Sequence, residues 1–332
     1  MLAPLWILAC GTAIARAQTL PAPGTTGPAP LPTAAEVRKQ VNDGQYRDAL
    51  KSLLRVLELK GTPAAAYDRA EMLLLRAECQ LQIRETQAAQ STLDATVKEA
   101  RGGNGIPPKP DALGKALAFS ALITKSPNML YTPRSRTGPL TPKPINILDR
   151  AARPAAYKAL FEDSLAGVKA HVLAAQGAAT MPPILDTAKE VATLRALEKA
   201  GTEDDAQSKP LALQLAGTAS VVLGNAVAGM NGDIDAIAGG ANLIYALPIQ
   251  RVDMVTGVRS VDQITHRRGL VNDEAARLKA IQQNCAAIIT ACYDLRLALD
   301  TPDPFAGIAG DANTLAQKAG RVLNDDYSVA PR

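Results

Sequence analysis

The sequence predicts a mostly α-helical protein, in which antiparallel helical hairpins lead into a helical bundle that carries a short β-hairpin or an ordered loop. Three observations predict this. Apolar residues make up 47% of the chain but aromatics only 3%, so the core is built from Ala, Leu, Val and Ile, which suit closely packed helices. Apolar positions recur at three- and four-residue spacing, the period of one buried helix face. Gly and Pro punctuate the boundaries of most of those stretches.

The chain opens with MLAPLWILACGTAIARA, an apolar run followed by small residues and Ala15-Arg16-Ala17, the A-x-A pattern of a cleaved export signal over residues 1–17. A rival reading makes Cys10 a lipidated anchor after Ile7-Leu8-Ala9, against which stands the bulky Leu8. Residues 18–33, QTLPAPGTTGPAPLPT, are uncharged and rich in Pro, Gly and Thr, and read as an extended linker. Thr33 then caps a helix, with Glu36 completing a capping box. The chain turns at Asp43-Gly44. The next helix buries Tyr46, Ala49, Leu50, Leu53, Leu54 and Leu57, stops at Gly61, and Pro63 opens a third. That helix carries Tyr67, Ala70, Leu73, Leu74, Ala77 and Leu81, and a fourth spans 86–101.

Residues 34–101 thus form the helical hairpins. Residues 102–152 hold a helix near 111–125 and a proline-rich basic connector over 126–144, and 153–332 form the C-terminal helical part. There Pro154 starts a helix through Gln176, and a second, 182–200, ends at Gly201. Residues 211–230 have no charge. Gln214, Asn225 and three glycines favour a central buried helix over a membrane span, with Gly217 and Gly224 letting neighbours approach closely. Residues 244–270 are β-branched and roughly alternating, with Thr256-Gly257 at a turn. Asn272 caps a helix with Leu278, Ile281, Cys285, Ile288, Cys292, Leu295 and Leu299 on one seam, and a last helix lies near 311–324. Export leaves Cys79, Cys285 and Cys292, an odd count. Cys285 and Cys292 stand about 10 Å apart along a helix, too far for a disulfide, and read as buried apolar side chains.

Gly44, Tyr46, Ala49 and Pro63 follow one another as the turn glycine, tyrosine, small residue and proline stop do in the tetratricopeptide repeat family, which this stretch resembles. A second unit is similar but degenerate. Ala77 and Ala89 keep the small positions, Arg84 replaces the turn residue and Thr86 the tyrosine, and Ala49 and Ala89 lie 40 residues apart where the family period is about 34. The resemblance implies a concave groove lined by the first helix of each unit, which places Arg38, Asn42, Glu71, Glu78 and Gln82 on it as partner-binding residues.

The 36 basic and 32 acidic residues leave a net charge of +4, too balanced for a nucleic-acid binder. The two histidines, His171 and His266, have no Cys or carboxylate at metal-ligand spacing, and no nucleotide, cofactor or nucleophile motif is present, so neither a catalytic residue nor a cofactor nor a metal is assigned. Asn231, Asp233 and Asp235 mimic part of a calcium loop, but Ala236 and Asn242 stand where its Gly and Glu belong, which makes a polar turn after a helix the plainer reading. Arg251, Arg259, His266, Arg267 and Arg268 form a candidate anion grip if they converge. The expectation is an exported, non-catalytic scaffold in a periplasmic or extracellular setting of bacterial type, binding a protein or peptide, with no span in the mature chain. The alternative is an envelope enzyme or a glycan- or anion-binding module using the arginine segment.

Overall fold

The computed structural model describes residues 31–102, 108–125, 147–299 and 305–327. The expected export signal, most of the expected linker and the whole of the basic connector lie outside the described residues. Thr33 and Glu36 form the capping box expected of α1 (Ala34–Asn42). Gly44 turns the chain at φ +77° into α2 (Tyr46–Leu57). The buried stripe of α2 is Ala49, Leu53 and Val56 rather than one containing Leu54, which faces solvent. α2 ends before Gly61. Pro63 opens only a short 3₁₀ turn (Thr62–Ala66), and α3 (Arg69–Gln82) starts behind the Asp68 cap. Tyr67 precedes that helix and donates its hydroxyl hydrogen bond to the Pro32 carbonyl. α4 (Thr86–Arg101) and α5 (Pro110–Lys125) follow.

The two helix pairs repeat in backbone detail. At the end of α1, Gln45 N–H donates to the Gln40 carbonyl and Gly44 N–H to that of Val41. At the end of α3, Glu85 N–H donates to Gln80 and Arg84 N–H to Leu81, the same bonds displaced by 40 residues. This is the two-bond cap in which one residue takes a left-handed conformation. Glycine takes it easily at position 44; at position 84 an arginine is held at φ 68°.

α6 (Arg153–Gln176) begins with Pro154 in its first turn and forms an antiparallel pair with α7 (Met181–Thr202). α7 continues past Gly201, and Glu203 takes the left-handed cap. Gly201 has another task. A Cβ there would lie 2.6 Å from the Lys158 backbone nitrogen, so it is the absent side chain that lets α6 and α7 touch.

α8 (Ser208–Ala241) runs 34 residues, its start held by the Glu198 carboxylate, which accepts from the backbone N–H groups of Gln207 and Ser208. By length and composition α8 could cross a membrane, yet only 33% of its most apolar window is buried. It is therefore not a central helix. Leu211, Leu215, Ala219 and Leu223 pack inward while Leu213 and Val221 face outward, and a Cβ at Gly217 or Gly224 would meet nothing within 4 Å. Asn231, Asp233 and Asp235 sit inside α8 rather than in a turn, where Lys318 bonds Asn231 at 2.8 Å and Asp235 at 2.6 Å.

β1 (Ile244–Val252) and β2 (Arg259–Arg267) form a two-stranded antiparallel hairpin. α9 (Asn272–Ala298) starts one residue earlier than a cap at Asn272 would place it: Val271 is the cap, Asn272 is already helical, and Glu274 accepts from the Val271 N–H. Its seam from Leu278 to Leu295 is buried as expected. α10 (Phe305–Leu323) begins six residues earlier than the sequence suggested and pairs with α9. One core runs through both parts of the chain, since Ala70, Ala100 and Leu113 share a cluster with Leu197, Leu215 and Leu295.

Candidate functional site

α3 packs between α1 and α5, so residues of these three helices can line one groove. The groove there holds about 550 Å³ and is lined by Asn42 of α1, Leu75 and Glu78 of α3, Lys115 and Phe119 of α5, Arg150 of the 3₁₀ turn before α6, and Tyr157 of α6. It meets a second cleft of about 470 Å³, which shares Lys115 and adds Asp111, Arg195, Lys199 and Arg296 at the ends of α5, α7 and α9.

The five residues assigned to this groove from sequence fall into two bonded clusters. Arg38 donates to Glu71 through two bonds of 2.5 and 2.7 Å. Glu78 is the hub of the other. It accepts from Arg153 at 2.5 and 2.9 Å, from Arg150 at 3.0 Å and from Gln82 at 2.9 Å. Gln82 also donates to the Leu148 carbonyl, and Asn42 accepts from Arg150 at 3.3 Å. Residues 148–153 therefore occupy the polar face of α1 and α3, and the side chains expected to meet a partner are engaged within the chain. Burial of Glu78 would by itself raise its pKa, but the bonds from Arg153, Gln82 and Arg150 together hold it below the usual glutamate range. Arg153 also lies over the Phe119 ring at 4.9 Å. Burial pushes the Tyr157 hydroxyl up to about 12, so it stays protonated at the groove floor.

What remains open to a partner is two lysines and one carboxylate, Asp111. Lys115 and Lys199 are exposed at the junction of groove and cleft and make no ion pair among the described residues, whereas Arg195 is bound to Asp205 and to the Leu297 carbonyl. Sequence reading missed this junction, because Lys115, Lys199 and Arg150 come from three distant segments.

The five basic residues of the hairpin segment do not converge. Arg268 is held by both Glu274 carboxylate oxygens and by the Gly240 carbonyl. Arg267 bonds Asn242 and covers the Tyr327 ring at 4.0 Å, and His266 stacks beside Tyr245. All three secure the base of the hairpin. Arg251 and Arg259 flank its far end, about 25 Å away at the rise of a strand. His171 Nδ1 lies 2.6 Å from Glu190 on α7, a surface contact between neighbouring helices. Among the described residues no group of three or more His, Cys, Asp or Glu side chains could hold a metal ion. Cys79, Cys285 and Cys292 are buried, and burial pushes the Cys79 thiol up to about 12 and that of Cys285 to about 11.

No family model, no curated protein and no solved structure matches this chain.

Proposed function

We propose that this chain is an exported, non-catalytic helical scaffold that binds an extended protein segment along its concave side, in an envelope of bacterial type. The observation that carries the reading is that the groove on α1, α3 and α5 and the cleft at α7 and α9 adjoin at Lys115 and Ala200, which line both. The exact 40-residue recurrence of the helix-ending bonds supports a repeat architecture similar to tetratricopeptide units. Grooves of that kind take an extended chain, with a few charged groups fixing its orientation. Since Glu78 and Glu71 already hold arginines, the exposed charges left beside the path are Lys115, Lys199 and Asp111, a net positive set, and the favoured partner segment is acidic. Export rests on the leader-like first 17 residues.

The test is fluorescence anisotropy with a labelled acidic peptide and a neutral one of equal length. The acidic peptide should bind the parent chain more tightly. Lys115→Glu combined with Lys199→Glu should weaken it by about tenfold or more, equivalent to roughly 1.4 kcal/mol. Lys51→Glu, on the outer helix α2, should leave it unchanged. Equal binding of both peptides by parent and double variant would refute the reading.

A further inference from the structure

Two strands alone are marginal in water, and independent stability takes a third strand or a packed helix. Among the described residues the β1–β2 hairpin has neither. Its described side chains are all exposed, and Met254 and Val255 at its tip are each 94% exposed.

Its two edges differ. Arg268 N–H donates to the Leu243 carbonyl and Asp253 N–H to that of Val258. In this register the odd-numbered residues of β1 bond to β2 and the even-numbered ones face outward. Pro248 falls at the middle of that outward row and has no N–H, so the β1 edge cannot accept another strand without a gap. The outward row of β2 is Arg259, Val261, Gln263, Thr265 and Arg267, with an N–H at every position. Leu247 and Ile264 face each other across the pair, both solvent-exposed.

We infer that β2 pairs antiparallel with β2 of a second copy of this chain about a twofold axis at Ile264, giving a four-stranded sheet. In that register Gln263 meets Thr265 and Val261 meets Arg267 of the other copy. Leu247, Ile264, Ile264 and Leu247 then form one apolar row across the sheet. An axis one residue away, at Gln263, sets Arg259 against Arg267, a like-charge pair that disfavours it. Pro248 blocks both outer edges of the product, so growth stops at the dimer rather than continuing as a fibre. An edge about 27 Å long and about 10 Å deep buries on the order of 600 Å² in total, below the size of a permanent interface, so the dimer is weak and concentration-dependent. A lipid surface fits less well, because Asp253 sits at the tip with its carboxylate accepting from Val255 and Thr256.

Sedimentation velocity of the full chain should show the 34.7 kDa species giving way to one of twice that mass as concentration rises. Thr265→Pro removes one outward N–H without touching the bonds to β1, and should weaken dimerisation by about tenfold or more. Ile264→Cys should form an inter-chain disulfide on mild oxidation, because residues facing each other on the axis have Cα atoms about 4.5 Å apart. Ala246→Cys, on the outer strand, should not cross-link beyond the parent chain. A single 34.7 kDa species at every concentration, or cross-linking at position 246 as fast as at 264, would overturn the inference. So would a chain that stays monomeric and instead cosediments with phosphatidylglycerol vesicles.

Discussion

Replacing Glu78 by glutamine tests whether the groove wall is held by the buried hub that joins α3 to the start of α6. Glu78 is 8% exposed and Arg153 is 9% exposed, and four hydrogen bonds converge on the carboxylate. Glutamine keeps the shape but not the charge, so Arg153 remains buried without a counter-ion. Removing one partner of a buried pair costs about 3–5 kcal/mol, against a total stability of about 5–15 kcal/mol for a domain. The urea midpoint, followed by circular dichroism, should fall accordingly with little change in slope. Acid behaviour gives a second readout. The folded-state pKa of Glu78 lies below its ordinary value of 4.5. Its contribution is therefore complete above pH 4.5 and disappears as pH falls through the depressed folded value. The parent chain should lose stability across that acid range, and Glu78→Gln should lose less there because it has no such proton to take up. Replacing Glu78 and Arg153 together by methionine should cost less than the single change, since no unpaired charge is left at position 153. A Glu78→Gln loss under about 1 kcal/mol, with an unchanged acid limb, would refute the argument that burial makes this pair indispensable.

Further outcomes follow from the same packing. Arg101 donates three bonds to Asp294, which is 1% exposed, and so ties α4 to α9. Burial raises the Asp294 pKa despite Arg101, so its protonated form favours folding at low pH and that contribution is lost as pH rises through the folded value. Arg101→Met should therefore destabilise by about 3–5 kcal/mol at neutral pH and by less in mild acid; an equal loss at both would count against it. Gly201→Ala forces a Cβ onto the Lys158 backbone and should cost about 1–3 kcal/mol, whereas Gly217→Ala, with open space around it, should gain about 0.5–1 kcal/mol in thermal melts. Arg84→Gly relieves a left-handed arginine worth about 1–2 kcal/mol and gives part of that back to unfolded-chain entropy, for a net gain of about 0.5–1 kcal/mol in urea. A lower midpoint would mean that the Arg84 side chain contributes more than its backbone strain.

Local chemistry was legible in the sequence. The Thr33–Glu36 cap, the Gly44 turn, the bounds of α4, the Pro154 start of α6 and the buried seam of α9 all depend on residues of one element and its immediate flanks. The β-hairpin was half legible for the same reason: alternation and a turn predict strand pairing, but not whether anything covers it. Whatever depends on long-range approach was decided by tertiary structure. Periodicity showed that α8 is apolar, but it cannot say how many neighbours surround a helix, so the close-approach glycine proved to be Gly201 and not Gly217 or Gly224. The same limit applied to the groove. Sequence spacing put Arg38, Asn42, Glu71, Glu78 and Gln82 on one side, but only the folded chain shows Arg38 paired with Glu71, and Arg150 and Arg153 returning to bind Asn42 and Glu78. A charge in a sequence has no partner until the backbone brings one within about 4 Å, and here that partner lies more than 70 residues away.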